Sequence, residues 1–364
     1  MGKPSRPSSS HPFASHPLDG RKILQSALLA GLAAGAGAGA IVAVKSLLFP
    51  HRTYEQEKAY LESLRSKGEK PYREPGFLQR NPRVTVYDDG NDPRTEGMVT
   101  YRIGPAQSSV SSLEENQGEE VEGNRGEEAD SGLTLLYLHG GTFLSTLSPH
   151  QARLLFRLTR MLKAQALVPE FPRMPFHTAK ESLSSVTEIY RHYQADHPDR
   201  AIILLADSSG AALAMGLMSI WAKEGLPLPA SVVLISPWLD LTMSHPQVKE
   251  YERKDKTQSA QAHIADGECW AGDDDPTDPL LSPSLASDED LAALTPVHDL
   301  TIFIGENDLF YPDAASYAQR CEQAGITTRL FTEAGMPHDY PFLPLPQGRQ
   351  AVRLMADMLS ELAR

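Results

Sequence analysis

Residues 206–210 read Ala-Asp-Ser-Ser-Gly and end the apolar run that starts at Ala201. If a strand turns sharply into a helix here, Ser208 is lifted above the sheet. The residues two before and two after must then be small, because the turn brings them against neighbouring backbone. Ala206 and Gly210 meet that requirement, with Asp207 and Ser209 between them. A second apolar run ends in His139-Gly140-Gly141. Consecutive glycines can turn backbone N–H groups into a cavity, where they would hold a developing negative oxygen, with His139 bracing the loop. Asp308 stands just past a third run, and His338 follows the last one in Met-Pro-His-Asp-Tyr. A hydroxyl, an imidazole to take its proton and a carboxylate to orient that imidazole are the parts of nucleophilic acyl transfer. Each piece alone has a structural reading: a serine in a tight turn, a plain glycine loop, an aspartate capping a helix.

The elements that must position these residues follow from the apolar pattern. Strand-like runs occur at 83–87, 98–103, 133–139, 165–171, 201–206, 231–236, 300–305 and 327–333, and helix-length segments separate most of the later ones. Continuous apolar strands alternating with helices predict a mostly parallel sheet covered on both faces, with ligands gathering at the carboxyl ends of its strands. Ser208, the glycine pair, Asp308 and His338 all fall at such ends. The intervals leave room for intervening helices and strands. Of twelve histidines, His338 is the one that follows the last strand, whereas His298 precedes a strand and His11, His16 and His51 lie near the amino end. Asp240 and Asp313 read as capping groups, and Met161, Met215 and Met218 as core filler.

Composition sets the outer limits. The 364 residues carry a formal net charge of −13, which argues against a nucleic-acid surface. Residues 106–132 hold eight acids against one arginine and read as a disordered acidic insertion. Two cysteines, Cys269 and Cys321, form neither a disulfide framework nor a metal knuckle, and the chemistry above needs no metal or cofactor. Residues 1–22 read as a disordered amino-terminal segment. The stretch 23–44 is free of charge, and at about 1.5 Å per residue it is long enough to cross a hydrocarbon core. It predicts a membrane anchor over 23–49, with a cleaved secretory signal and an organelle transit segment as alternatives. Residues 53–70 predict an amphipathic helix, part of a linker and cap over 50–80. The main domain is then 81–364, with a second cap segment at 242–282 that contains Trp270.

In chain order the segments HGGTF, ADSSGAA, SPWLDLT, DPLLSPSLA, GENDLFYPDAASYA and GMPHDY resemble the hormone-sensitive-lipase-like branch of the α/β-hydrolases, including its fungal steryl acetyl hydrolase-type and esterase members. EFPRMPF at 170–176 is similar to a further segment of that branch. The resemblance spans about residues 77–364 and implies an α/β-hydrolase fold: an eight-stranded, mostly parallel sheet with helices on both faces and a small helical cap. It implies Ser208 as nucleophile, Asp308 as acid and His338 as base, with the backbone N–H groups of Gly140, Gly141 and Ser209 as oxyanion donors. Thr142 stands where the branch has a third glycine and narrows the acyl pocket, and Phe171 replaces an expected tyrosine. The expected activity is that of a serine carboxylic-ester hydrolase acting on a hydrophobic, lipid or steryl-type ester with a short acyl group. It would be held at the endoplasmic reticulum membrane, or alternatively a mitochondrial one, by residues 23–44. An amidase or formamidase with the same triad, and a ligand-binding protein that keeps the fold without hydrolysis, remain open. The sequence sets no oligomeric state.

Overall fold

A computed structural model of the chain describes residues 51–87, 95, 98–104 and 130–363. The expected disordered start, the apolar stretch 23–44 and the acidic insertion up to residue 129 lie outside the described residues. Among the described residues no helix is long and apolar enough to cross a membrane.

The eight apolar runs become eight strands of one sheet: β1 (Val84–Val86), β2 (Thr100–Ile103), β3 (Leu133–Leu138), β4 (Gln165–Pro169), β5 (Ala201–Asp207), β6 (Ser231–Ile235), β7 (Asp299–Gly305) and β8 (Thr328–Glu333). Their order is β1-β2-β4-β3-β5-β6-β7-β8. The β1–β2 and β2–β4 pairs are antiparallel, and every later pair is parallel. Side chains alternate across a strand, so each central strand feeds both faces. Along β5, Ile202, Leu204 and Ala206 enter one core, and Ile203 and Leu205 the other. That is why these strands read as unbroken apolar runs.

Helices α3 (Pro149–Leu162) and α10 (Pro346–Ser360) cover one face through Leu155, Leu158, Val352 and Met355. The other face carries α4 (Ala179–Asp196), α5 (Ser209–Lys223) and α9 (Tyr311–Gln323), which contribute Val186, Ile189, Leu213, Leu217 and Tyr317. Helix α3 starts at a capping box in which Ser148 and Gln151 satisfy each other's backbone N–H groups, with Pro149 at the first helical position, where its missing N–H costs nothing. Met215 and Met218 are core filler as expected. Met161 is 41% exposed, because it lies on the polar side of α3 while Leu158 and Leu162 take the inner face.

Two segments build over the carboxyl edge. Helix α1 (Tyr54–Ser66) occupies most of the expected 53–70 helix and begins at a Thr53–Gln56 capping box. After the four-residue α2 (Gly76–Gln79) the chain enters the sheet. From 242–282 come α6 (Val248–Lys254) and α7 (Ala260–Ala271); Asp240, just before them, accepts bonds from the backbone and hydroxyls of Thr242 and Ser244. Helices α1 and α7 lie together, with Tyr54 donating to Glu268 at 2.5 Å. The short α8 (Asp288–Ala292) leads into β7.

The backbone approaches closely at Gly210, where an added Cβ would stand 2.2 Å from the Leu138 carbonyl oxygen and 2.8 Å from that of His139. Neither atom belongs to a flexible side chain, so β3 and α5 would have to separate. We expect Gly210→Ala to destabilise the protein by about 1–3 kcal/mol, the usual cost of overpacking. Gly104→Ala, where a Cβ meets nothing within 4 Å, should stay within about 0.5 kcal/mol. Denaturant midpoints of the two variants check this; equal values would refute it.

Candidate active site

Ser208 sits between the last residue of β5 and the first of α5, with φ 48° and ψ −121°. A residue carrying a Cβ pays roughly 1–3 kcal/mol for such a conformation. Three backbone bonds hold it there: Ser208 N–H donates to the Ile235 carbonyl at 2.9 Å, and the Ala211 and Trp238 N–H groups each donate to the Ser208 carbonyl at 3.1 Å. At about 1 kcal/mol each, they offset the strain, and Ala206 and Gly210 leave space for the turn as the sequence requires.

The structure brings Ser208, His338 and Asp308 together from three strand ends. His338 Nε2 is 3.1 Å from Ser208 Oγ. His338 Nδ1 is 3.0 Å and 3.2 Å from the two carboxylate oxygens of Asp308, so Nδ1 carries the hydrogen it donates and Nε2 faces the hydroxyl. Asp308 is fully buried, and its Oδ1 also accepts from Phe310 N–H at 3.0 Å; α9 itself has Phe310 as its N-cap with no side-chain cap bond, so the carboxylate holds the turn before the helix and faces the imidazole without capping the helix. The His338 loop reaches inward past Gly305, where a Cβ would lie 2.2 Å from the Met336 carbonyl oxygen. It is fastened by Asn307 N–H to the Met336 carbonyl and by Asp339 N–H to Ser236 Oγ at 2.9 Å.

Burial alone would lower the basicity of His338, but the carboxylates of Asp339 and Asp308 outweigh it and raise the pKa to about 9. Asp339 Oδ2 lies 3.4 Å from Nε2, beside the serine. Asp255, from the loop after α6, accepts from Leu309 N–H and adds a further negative charge on the Asp308 side; burial raises its own pKa, and Asp308 adds to this. Neither Asp339 nor Asp255 was legible as a partner of the histidine: the first is the next residue, where the chain turns left-handed at φ 59°, and the second is 83 residues away.

The glycine loop takes three left-handed steps, at Gly141 (φ 121°), Thr142 (φ 58°) and Phe143 (φ 54°). Of the three expected donors, Gly140 N–H is already given to Asp207 Oδ1 at 2.9 Å, which narrows the set: Gly141 and Ser209 donate to nothing among the described residues. Ser209 N–H is also the first of α5, where the helix dipole favours negative charge. The Ser209 hydroxyl, which looked incidental, accepts from Phe143 N–H at 3.2 Å and ties the glycine loop to the serine turn.

Asp207 is the hub behind this loop. Fully enclosed, it accepts from Tyr137 Oη, Gly140 N–H and Gln151 Nε2; burial raises its pKa, and these bonds oppose the rise. His139 does brace the loop, with Nδ1 donating to the Gly140 carbonyl at 3.0 Å and its ring stacked 4.6 Å from Phe171. Glu170 approaches its Nε2 at 3.6 Å and accepts from Leu147 N–H and Arg173. Burial would raise the Glu170 pKa, but His139, the Leu147 N–H and Arg173 together hold it low. Sequence reasoning missed Tyr137, Gln151 and Ser236, whose only signal is polarity at a buried position.

An aromatic wall links the cap to the site. Trp270 of α7 stacks on Phe143 with ring centroids 3.7 Å apart, and Trp238 and Phe310 continue the wall to His338. Beside it, a cleft of about 360 Å³ opens between α1 and α7 over Gly141 and Thr142. Among the described residues no His, Cys, Asp and Glu side chains group as a metal site.

A family model described as alpha/beta hydrolase fold matches residues 135–342. The chain is similar to an esterase of Acinetobacter venetianus, 27% identical over 250 residues that make up 66% of this chain and 80% of the relative. It is also similar to an acetyl-hydrolase of Streptomyces hygroscopicus, 29% identical over 238 residues, 63% of this chain and 75% of the relative. A solved esterase from the bacterial hormone-sensitive lipase family superposes with a TM-score of 0.66 at 20% identity, covering 94% of this chain and 98% of that one, a likeness of fold. With the family model spanning more than half of its length, this chain belongs to the α/β-hydrolase-fold family.

Proposed function

We propose that the protein is a serine carboxylic-ester hydrolase. The observation that carries the reading is the relay Ser208 Oγ, His338 Nε2, His338 Nδ1, Asp308, with heavy-atom separations of 3.1 Å and 3.0 Å inside a site faced by the unengaged N–H groups of Gly141 and Ser209. Those distances suit proton transfer without rearrangement. As Ser208 Oγ attacks an ester carbonyl, its proton passes to His338 Nε2, and the Asp308 carboxylate holds the tautomer and stabilises the imidazolium. The carbonyl oxygen becomes an oxyanion held by the Gly141 and Ser209 N–H groups. Each such donor is typically worth about 2.7–4 kcal/mol of transition-state stabilisation. The imidazolium then protonates the departing alcohol, and water, deprotonated by the same nitrogen, releases the acid from the acyl-enzyme. No step calls on a metal or cofactor.

The substrate reading is a short acyl ester of a lipid-soluble alcohol. The names of the similar proteins favour ester and acetyl chemistry. His51 lines the cleft beside Gly141, and Val44, the end of the apolar stretch, is seven residues earlier. At most about 25 Å of chain separates them, so a segment anchored in a bilayer would keep the cleft close to lipid-borne esters.

Ser208→Ala should lower kcat for p-nitrophenyl acetate by on the order of 10⁶ and end labelling by a fluorophosphonate probe. Its thermal midpoint should stay close to that of the wild type. Activity near wild type in that variant would mean another nucleophile.

Because the base must be unprotonated in the free enzyme and its pKa is raised to about 9, kcat/KM should climb with pH from 6 and reach half its maximum near pH 9. A plateau already present at pH 6 contradicts this placement of charge around His338.

The full chain should sediment with membranes and resist carbonate extraction, and removal of residues 1–49 should release it. Recovery of the full chain in the carbonate supernatant would count against the anchor.

A further inference from the structure

The cleft over the oxyanion corner is unlike a pocket for a bare hydrocarbon. Arg52, just before α1, and Glu57 of α1 face His263 and Asp266 from α7 across it, and Thr142 and Ser145 also line it. Glu57 is not available to a ligand as a free charge, because both of its oxygens are taken by Arg52 at 2.9 Å and 3.0 Å. The other wall is different. His263 and Asp266 are 6% and 5% exposed, they stand one helical turn apart and so share a face, and each has a buried polar atom with no hydrogen-bond partner among the described residues: Nδ1 of His263 and Oδ1 of Asp266. Buried polar atoms are nearly always paired, and leaving one unmade costs about 1–3 kcal/mol. Two such atoms on one wall of a substrate-sized cleft point to a missing ligand group.

The chemistry of that group follows from the donors and acceptors. His263 Nε2 lies 2.8 Å from the Gln258 amide oxygen. An amide oxygen only accepts, so Nε2 carries the hydrogen and Nδ1 offers a lone pair. We propose that this cleft is the subsite for the alcohol part of the ester, and that the alcohol carries a free hydroxyl which donates to His263 Nδ1 and accepts from the Asp266 carboxyl. The inference rests on the ester-hydrolase reading of Ser208, to whose oxyanion loop the cleft belongs, and adds to it the class of alcohol.

Charge supports the assignment. Burial pushes the Asp266 carboxyl up to about 8, with Glu57 adding to the rise, so at neutral pH it holds a proton to donate. Burial pushes the His263 imidazole down to about 3, with His338 adding to the fall, so it stays neutral. With Glu57 and Arg52 cancelling, the walls carry no net charge, which suits a neutral donor-and-acceptor group and offers nothing extra to an ammonium or a carboxylate. His51, at the mouth, has its Nε2 on the Lys256 carbonyl.

The test compares kcat/KM of the full chain on glycerol monoacetate and on propyl acetate, which share a three-carbon skeleton and differ in hydroxyls. The wild type should favour the hydroxylated ester about tenfold, since a site with buried polar groups rejects an analogue that leaves them unpaired. In Asp266→Leu and in His263→Phe the ratio should fall to within threefold of one, whereas Asp266→Asn, which keeps polar atoms in place, should retain most of it. A wild-type ratio at or below one overturns the proposal whatever the variants do, and so does an undiminished ratio in Asp266→Leu or His263→Phe. Cleavage of p-nitrophenyl acetate with neither test ester hydrolysed also overturns the subsite while leaving the hydrolase reading intact. Absence of fluorophosphonate labelling in the wild type removes both.

Discussion

The structure depends on one crowded corner, where the ends of β3, β5 and β6 meet and Ser208 is held in a backbone conformation that a side-chain-bearing residue resists. The strain is local, but what makes it tolerable is not. Ile235 and Trp238, which clamp the Ser208 backbone, come from β6 and the loop beyond it, and the carbonyl that excludes a Cβ at Gly210 belongs to β3. The sheet order places β5 between exactly those neighbours. A parallel sheet collects its strand ends on one edge, so the geometry that strains the serine also gathers the groups that can use it.

Electrostatics at that edge are a balance of large opposing effects. His338 is enclosed, which favours its neutral form, yet carboxylates at 3.0 Å and 3.4 Å draw it toward the cation. The second effect wins, and the consequence is a base that holds its proton into the alkaline range. Asp207 shows the opposite resolution. Its burial raises its pKa on balance, and three donors offset part of the lost water and let it organise the glycine loop. Here a buried carboxyl serves to position the Gly140 N–H, and bonds to Tyr137, Gly140 and Gln151 offset part of the cost of burying it.

The cap is held by a different kind of contact. Phe143 and Trp270 dock it onto the glycine loop through an apolar stack, whereas the cleft beside that stack is lined by polar side chains, among them Arg52, Glu57, His263 and Asp266. Hydrophobic contact fixes where α7 lies.

The amino-acid order alone determined the sheet, because each central strand must be apolar on both sides and so leaves an unbroken run. It also determined the serine turn, since only small residues fit at 206 and 210, and it put Asp308 and His338 at strand ends on the same edge as Ser208, while their roles beside it came only from the family resemblance. Tertiary structure decided the rest. Which glycine N–H remains for an oxyanion turns on Asp207 capturing that of Gly140, and a bond across 67 residues leaves no local pattern. Asp255, Gln151 and Ser236 act through contacts between segments distant in the chain, so their polarity at buried positions was legible while their partners were not. Met161 lies outward because helical phase, more than hydrophobicity, assigns a side chain to a face. The character of the cleft belongs to α1 and α7 together, and nothing in either helix by itself says that the other will stand opposite.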